Sequence, residues 1–178
     1  MKSMISIRKA TTEDISSVEK IYEDIHSAEE SGSLTIGWAR GVYPTRATAE
    51  AAHKREDLFV LTSQEKVLGA AVINQIQVDV YEGAPWQYEA ADSQVMVLHT
   101  LVISPNASRK GLGTCFVKFY EDYARANNCL FLRMDTNARN TAARKLYKKL
   151  DYDEIGIVPC IFNGIEGVQL VLLEKRLD

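Results

Sequence analysis

Ile5 and Ile7 alternate with polar neighbours, and then apolar side chains recur every three to four positions at Ile15, Val18, Ile21, Tyr22 and Ile25. The first spacing is that of a short half-buried strand, the second that of a helix with one apolar stripe. Thr11-Thr12-Glu13-Asp14 stands where that helix should begin, in the Ser/Thr-x-x-Asp/Glu arrangement that satisfies free amides of a first turn. Residues 32–41, bounded by glycines, interrupt the pattern. Pro44-Thr45 then opens an alanine-rich stretch to about Lys54, read as a second helix. Strands are expected at 58–62 and 67–76, joined by the polar Ser63-Gln64-Glu65-Lys66 connection of an antiparallel hairpin, and at 94–103, where Pro105 ends the ladder. From Gly111 onward Leu112, Phe116, Phe119, Tyr120 and Tyr123 mark an amphipathic helix that closes near Asn127-Asn128. A buried strand at 130–134 follows, and Asp135-Thr136-Asn137 reads as its connection to a helix with Ala143, Leu146, Tyr147 and Leu150 on one face. Strands at 155–161 and 168–173 flank an Asn163-Gly164 reversal.

This order predicts an α/β (α+β) fold. It has a mixed, mostly antiparallel central sheet with a parallel strand-helix-strand unit at its core and helices on both faces. No repeat or low-complexity linker divides the chain, so residues 4–178 are read as a single domain. A length of 178 residues is enough to bury a full core without staples.

Composition narrows the function classes. With 46% hydrophobic and 25% charged residues the chain is of ordinary globular type. No stretch approaches the roughly 18 apolar residues of a membrane span, and no apolar leader follows Met1, so a cytoplasmic protein with no membrane partner is expected. A formal net charge of -3 offers no basic stripe for nucleic acid. Cys115, Cys129 and Cys160 sit singly in apolar surroundings, and the three histidines are far apart, so no metal site is expected.

Two stretches carry candidate chemistry. In the first, Leu98-His99-Thr100-Leu101-Val102-Ile103 leads into Ser108-Arg109-Lys110-Gly111-Leu112-Gly113-Thr114, a strand, a short loop and a helix N-terminus in that order. Glycines there let the backbone approach a ligand, and free first-turn amides are donors for an anion, which suggests a pyrophosphate. Lys110 precedes the glycines, and the Gly-x4-Gly-Lys-Ser/Thr spacing of a nucleotide-triphosphate loop is absent. The second stretch runs from Asn140 to Tyr152 and includes Tyr147.

Together these stretches resemble the GNAT superfamily of acetyl-coenzyme A-dependent N-acetyltransferases. Element order extends the resemblance to nearly the whole chain, and the specific motifs lie between Leu98 and Tyr152. The family's Gln/Arg-x-x-Gly-x-Gly/Ala loop corresponds to Ser108-x-x-Gly111-x-Gly113, with Ser108 departing from the usual Gln or Arg and Arg109 and Lys110 keeping positive charge nearby. The resemblance implies that backbone amides from Ser108 to Thr114 bind the coenzyme pyrophosphate. It implies also that the pantetheine arm lies along Leu101, Val102 and Ile103, and that Tyr147 serves the leaving sulfur. Asn140 is read as a pantetheine contact, a helix cap, or both.

His99, two residues before Leu101, should share its face by strand alternation. The arylalkylamine branch of the superfamily uses a histidine at this position to relay the amine proton through water. Glu89, Asp92 and bulk water are the rivals for that proton. The acceptor is expected to be an amine, small or peptidyl, that attacks directly in a ternary complex. Trp38, Tyr43, Trp86 and Glu89, with Tyr81 and Tyr88, are candidates to hold it, or else form a packing patch. Glu82 and Glu89 would suit a cation. A non-catalytic acyl-coenzyme A sensor on the same fold is the alternative, and family habit and the symmetry preference of oligomers admit a homodimer.

Overall fold

The computed structural model of the protein describes residues 4–178, and all its strands join one sheet. In chain order the elements are β1 (Ile5–Lys9), α1 (Ile15–Glu30), α2 (Arg46–Lys54), β2 (Leu58–Ser63), β3 (Lys66–Asn74), β4 (Val95–Ile103), α3 (Leu112–Ala126), β5 (Phe131–Asn137), α4 (Thr141–Lys149), β6 (Asp153–Phe162) and β7 (Ile165–Arg176). The strands lie in the order β1-β2-β3-β4-β5-β7-β6. Only β4 and β5 run parallel, with α3 as their crossover; every other neighbouring pair is antiparallel. This is the mixed sheet that the element order predicts.

Strand alternation divides the core in two. Phe59, Leu61, Ala71, Ile73, Leu98, Leu132 and Met134 point to one face, where Phe116, Val117 and Tyr120 of α3 and Tyr147 of α4 cover them. Leu58, Val60, Ala70 and Val72 point to the other, beneath Val18, Tyr22 and Ile25 of α1 and Ala49 and Ala52 of α2. Farther along that second face Val95, Val97, Leu170 and Leu172 lie under Tyr81. Each large side chain so buried contributes about 1.5–3 kcal/mol, and a one-residue slip would turn a whole strand over, so the register is fixed by the core.

Local chemistry sets the ends. The Thr11 amide donates to Asp14 Oδ2, and Arg8 pairs with the same carboxylate at 2.6 Å, anchoring α1 to β1. The hairpin turns use positive φ at both central residues, Gln64 (49°) and Glu65 (63°) after β2, and Asn163 (51°) and Gly164 (77°) after β6. Such angles match the right-handed twist of the flanking strands.

The structure departs from the sequence expectation in one place that matters. β5 does not stop at Met134: Asp135, Thr136 and Asn137 continue it, opposite Leu172, Val171 and Leu170 of β7. These residues are polar because they face a cleft. Residues 77–92 are packed down on the sheet. Buried Arg133 donates to Gln77 Oε1 (2.7 Å) and to the Tyr88 carbonyl (3.0 Å), with its guanidinium 4.3 Å from the Trp86 ring centre. Glu174, buried beside it, accepts from the Gln87 amide at 2.8 Å. No helix among the described residues is long and apolar enough to cross a membrane.

Candidate active site

β4 and β5 pair from Val95↔Phe131 to Leu98↔Met134 and then part. Two features drive them apart. On its far side β4 carries a bulge: Val72 of β3 faces His99 and Ala70 faces Val102, so three steps of β4 span two of β3. Thr100 inside the bulge has φ of 50°, a region that β-branched residues rarely enter, and the Tyr43 hydroxyl hydrogen-bonds its Oγ1. β5 meanwhile stays in register with β7.

Between the separated strands lies a cleft of about 1080 Å³, counting its open mouth. It passes through the sheet. Leu101, Ile103, Ala143 and Tyr147 line it from the α3–α4 face, while Trp38, Val78, Phe162, Val168 and Leu170 line it from the opposite one.

On the α3 side, residues 108–114 stand past the C-terminal end of β4, one short turn beyond Ile103, and do not line the cleft itself. Ser108, Arg109, Lys110 and Gly111 are exposed. Arg109 (φ 63°) and Gly111 (φ 74°) both take left-handed conformations. The amides from Arg109 to Thr114 make no hydrogen bond within the described residues, so they remain as donors at the start of α3. The two glycines have different causes. A β-carbon on Gly111 would meet nothing within 4 Å, so glycine is there for its φ. One on Gly113 would stand 3.2 Å from Leu146 Cδ2, so that glycine serves the contact of α3 with α4. Ser108 turns its hydroxyl back to the Pro105 carbonyl at 3.0 Å. Leu112 is buried in the core and Thr114 is half-buried. The set fits an anionic diphosphate through backbone donors rather than through the Ser108 side chain.

On α4, Tyr147 is buried except where its hydroxyl end opens on the cleft, and that hydroxyl has no hydrogen-bond partner among the described residues. Desolvation, with the nearby charge of Asp135 adding to it, pushes its pKa above the usual phenol value. Asn140 caps the same helix, its Oδ1 accepting from the Ala143 amide at 3.1 Å, and also lines the cleft. The cap occupies the oxygen and leaves the side-chain nitrogen as a donor. Val102 sends its side chain into the α1–α2 core, whereas Leu101 and Ile103 pack toward α3 and α4.

His99 lines the cleft but does not share the face of Leu101. The bulge adds a residue between them and inverts the alternation. Its Nε2 lies 2.8 Å from Asn74 Oδ1, and burial lowers its pKa to about 4, so the imidazole is neutral at physiological pH and hydrogen-bonded to the neighbouring strand.

The carboxylate in the cleft is Asp135, on β5 and not in the connection that the apolar pattern predicts there. The Tyr81 hydroxyl donates to its Oδ2 at 2.6 Å, and desolvation raises its pKa to about 6 despite that hydrogen bond. A signal for it was present: Arg133, Asp135 and Asn137 alternate with Leu132, Met134 and Thr136, carrying the period of two through to 137.

Trp38 and Tyr43 do line the cleft, edge to face with ring centres 5.9 Å apart. Trp86 and Glu89 do not. Trp86 packs under Arg133 with its Nε1 donating to the Tyr81 carbonyl at 2.9 Å, and Glu89 is exposed on the outer surface. Asp92 is also exposed and accepts from Gln77 Nε2 at 2.7 Å, and Tyr88 lies against Phe131. Among the described residues no group of three His, Cys, Asp or Glu is placed to hold a metal.

Residues 17–152 match the acetyltransferase (GNAT) family. An aminoglycoside N(6')-acetyltransferase type 1 of Klebsiella aerogenes is 29% identical over 76 residues, 43% of this chain, and the match spans about half (50%) of that enzyme. Among solved structures, a GNAT-family acetyltransferase of Streptococcus agalactiae superposes with a TM-score of 0.80 at 19% identity, covering 98% of this chain and 96% of that one. The Salmonella typhimurium protein yncA, solved with its cofactor acetyl-CoA, gives a TM-score of 0.70 at 18% identity, covering 99% and 95%.

Proposed function

The chain belongs to the acetyltransferase (GNAT) family, and from that premise we propose that it transfers an acetyl group from acetyl-coenzyme A to a primary amine by direct attack in a ternary complex. One observation carries the reading. The cleft through the sheet is lined by Tyr147 from the α3–α4 face and by Asp135, held by Tyr81, from the other, with the unpaired edge of β4 between them.

The bound donor supplies an activated thioester. Amides from Arg109 to Thr114 hold its diphosphate, and the edge of β4 from His99 to Ile103, free of β5, offers backbone groups to the pantetheine arm and to the thioester carbonyl. The Asn140 side-chain nitrogen is placed to donate to the same arm.

Asp135 accepts the first proton of the ammonium, and the second, released as the amide forms, passes through solvent to the departing thiolate. An amine with a reference pKa of about 10.4 enters mostly as ammonium, and a carboxylate is the group that draws it in. With a pKa near 6, Asp135 is ionised at neutral pH yet more basic than an ordinary aspartate. As nitrogen bonds to the acetyl carbon and the carbon–sulfur bond breaks, Tyr147 donates a hydrogen bond to the departing sulfur. Its raised pKa makes full proton loss to a thiolate, whose reference value is about 8.5, uphill, so stabilisation through the hydrogen bond is the role that fits. His99 is assigned to structure. The three free thiols support a reducing, cytoplasmic setting.

The relative from Klebsiella makes an aminoglycoside one acceptor to include in a panel. The test is release of free thiol from acetyl-coenzyme A across a panel of amines, with coenzyme binding measured separately by calorimetry. Thiol release that depends on an amine supports the proposal; coenzyme binding without it with any amine would leave a sensor.

A further inference from the structure

Resting on that acetyl-transfer reading, we infer that the acceptor is a compact monoamine on an apolar body, and not a polyamine or the end of a peptide chain. Charge is the first argument. Asp135 is the only carboxylate among the residues that line the cleft, no lysine or arginine joins it, and burial keeps His99 neutral. Tyr81 occupies Oδ2, which leaves Oδ1 for one ammonium. Around it on the acceptor side stand Trp38, Tyr43, Phe162, Val168 and Leu170, together with the uncharged polar Thr100, Asn137 and Asn163. A second ammonium would meet hydroxyl and amide groups there but no second carboxylate, so no ion pair would offset its desolvation. Asp79 and Glu166, on the segments that flank this side, are exposed and do not line the cleft.

The second argument is the rim. The loop between α1 and α2 approaches β5 so closely that a β-carbon on Gly37 would overlap the Asn137 side chain. The same loop reaches the β6–β7 turn, where a β-carbon on Gly164 would lie 3.3 Å from Val42 Cγ1. Glu29 fixes the loop by accepting from the Gly37 amide at 2.9 Å, and Arg40 ties it to Glu30 at 2.8 Å. The acceptor side is thus bridged at two points by anchored backbone, which suits a compact molecule and obstructs a polypeptide lying across the opening. Apolar walls then reward an apolar body by the area they remove from water.

The experiment measures kcat/KM by thiol release at saturating acetyl-coenzyme A for phenethylamine, isopentylamine, spermidine and a hexapeptide with a free N-terminus. The two monoamines should exceed spermidine and the peptide by at least about tenfold. Phe162→Ala should lower kcat/KM for phenethylamine roughly tenfold while the coenzyme dissociation constant, read by calorimetry, stays in place. Spermidine or the peptide performing as well as the monoamines would overturn this inference and leave acetyl transfer standing, as would unchanged monoamine kinetics in a folded Phe162→Ala protein. Thiol release with none of the four amines or the wider panel would overturn both.

Discussion

The Tyr81 hydroxyl and Asp135 Oδ2 share a hydrogen bond of 2.6 Å across 54 residues of sequence. It gives the long segment before β4 a purpose other than touching substrate: Arg133 and Glu174 hold the segment down, Trp86 packs on Tyr81, and Tyr81 fixes a carboxylate in the cleft. Because the donated bond favours the ionised form, Tyr81→Phe should raise the Asp135 pKa above about 6. The acid limb of kcat/KM should then move upward by roughly one unit. The rate at pH 6.5 should fall several-fold and the rate at pH 8.5 much less. A pH profile of the variant identical to the parent's would dissociate Tyr81 from the chemistry.

Tyr147→Phe separates catalysis from packing. The hydroxyl has no hydrogen-bond partner among the described residues, so its removal breaks no hydrogen bond there and the melting temperature should hold or rise. Removing a donor aimed at developing charge should lower kcat by roughly 10²-fold while coenzyme affinity stays within about twofold. Stopped turnover assays and calorimetry on the same preparation check both halves; equal kcat returns Tyr147 to the core.

Much of the fold was legible because apolar periodicity and turn chemistry agree along the chain. Asn163-Gly164 has the two positive φ values its sequence implies, and the α3 stripe from Leu112 to Tyr123 faces the sheet as its spacing requires. The site was less legible, for two physical reasons. Asp135 and Asn137 are polar on a strand because that stretch faces a cleft, and a polar strand end reads as a loop. The bulge at Thr100 comes with a tertiary contact to Tyr43, and nothing local in the Leu98-to-Ile103 run announces that His99 and Leu101 face opposite ways. Trp86 and Glu89 stand outside the cleft, Trp86 stacked on buried Arg133 and Glu89 in solvent, because aromatic and acidic residues in a long connection suit packing and solvation as well as they suit a ligand.

Gly111→Ala probes the coenzyme loop through its backbone alone. Open space surrounds the site, so the expected effect comes from forcing a β-carbon into φ of 74°, a cost of about 1–2 kcal/mol. If the loop relaxes to avoid it, the amides from Arg109 to Thr114 turn away from the diphosphate. Coenzyme A affinity should fall by roughly tenfold, with kcat at saturating donor nearly kept. Intact affinity in calorimetry would mean that the loop's amides are not the diphosphate site.

The pH dependence of stability distinguishes Asp135 from His99 in the cleft, because they act with opposite signs over one window. Asp135 has a folded pKa of about 6, above an unfolded value of about 3.9. Its contribution is therefore full below about pH 4 and lost as pH rises through 6. His99 has a folded pKa of about 4, below an unfolded value of about 6.5, so the unfolded chain takes up its proton first and stability is lost as pH falls from 6.5 toward 4. Each effect is of order 1–2 kcal/mol once partial access to the cleft is discounted. In the parent they offset one another. Asp135→Asn should stabilise the protein at pH 7 and give it a steeper loss on acidification than the parent, whereas His99→Gln should make it gain stability, relative to the parent, between pH 6.5 and 4. Thermal melts at pH 4.5, 5.5 and 7 read both. Activity then decides the base: Asp135→Asn should lose the acid limb and about 10²–10⁴-fold in rate, while His99→Gln keeps the limb near 6. The reverse pattern, a limb that survives in Asp135→Asn and vanishes in a folded His99→Gln, would transfer the proton to the imidazole and require that the Asn74 hydrogen bond open during turnover.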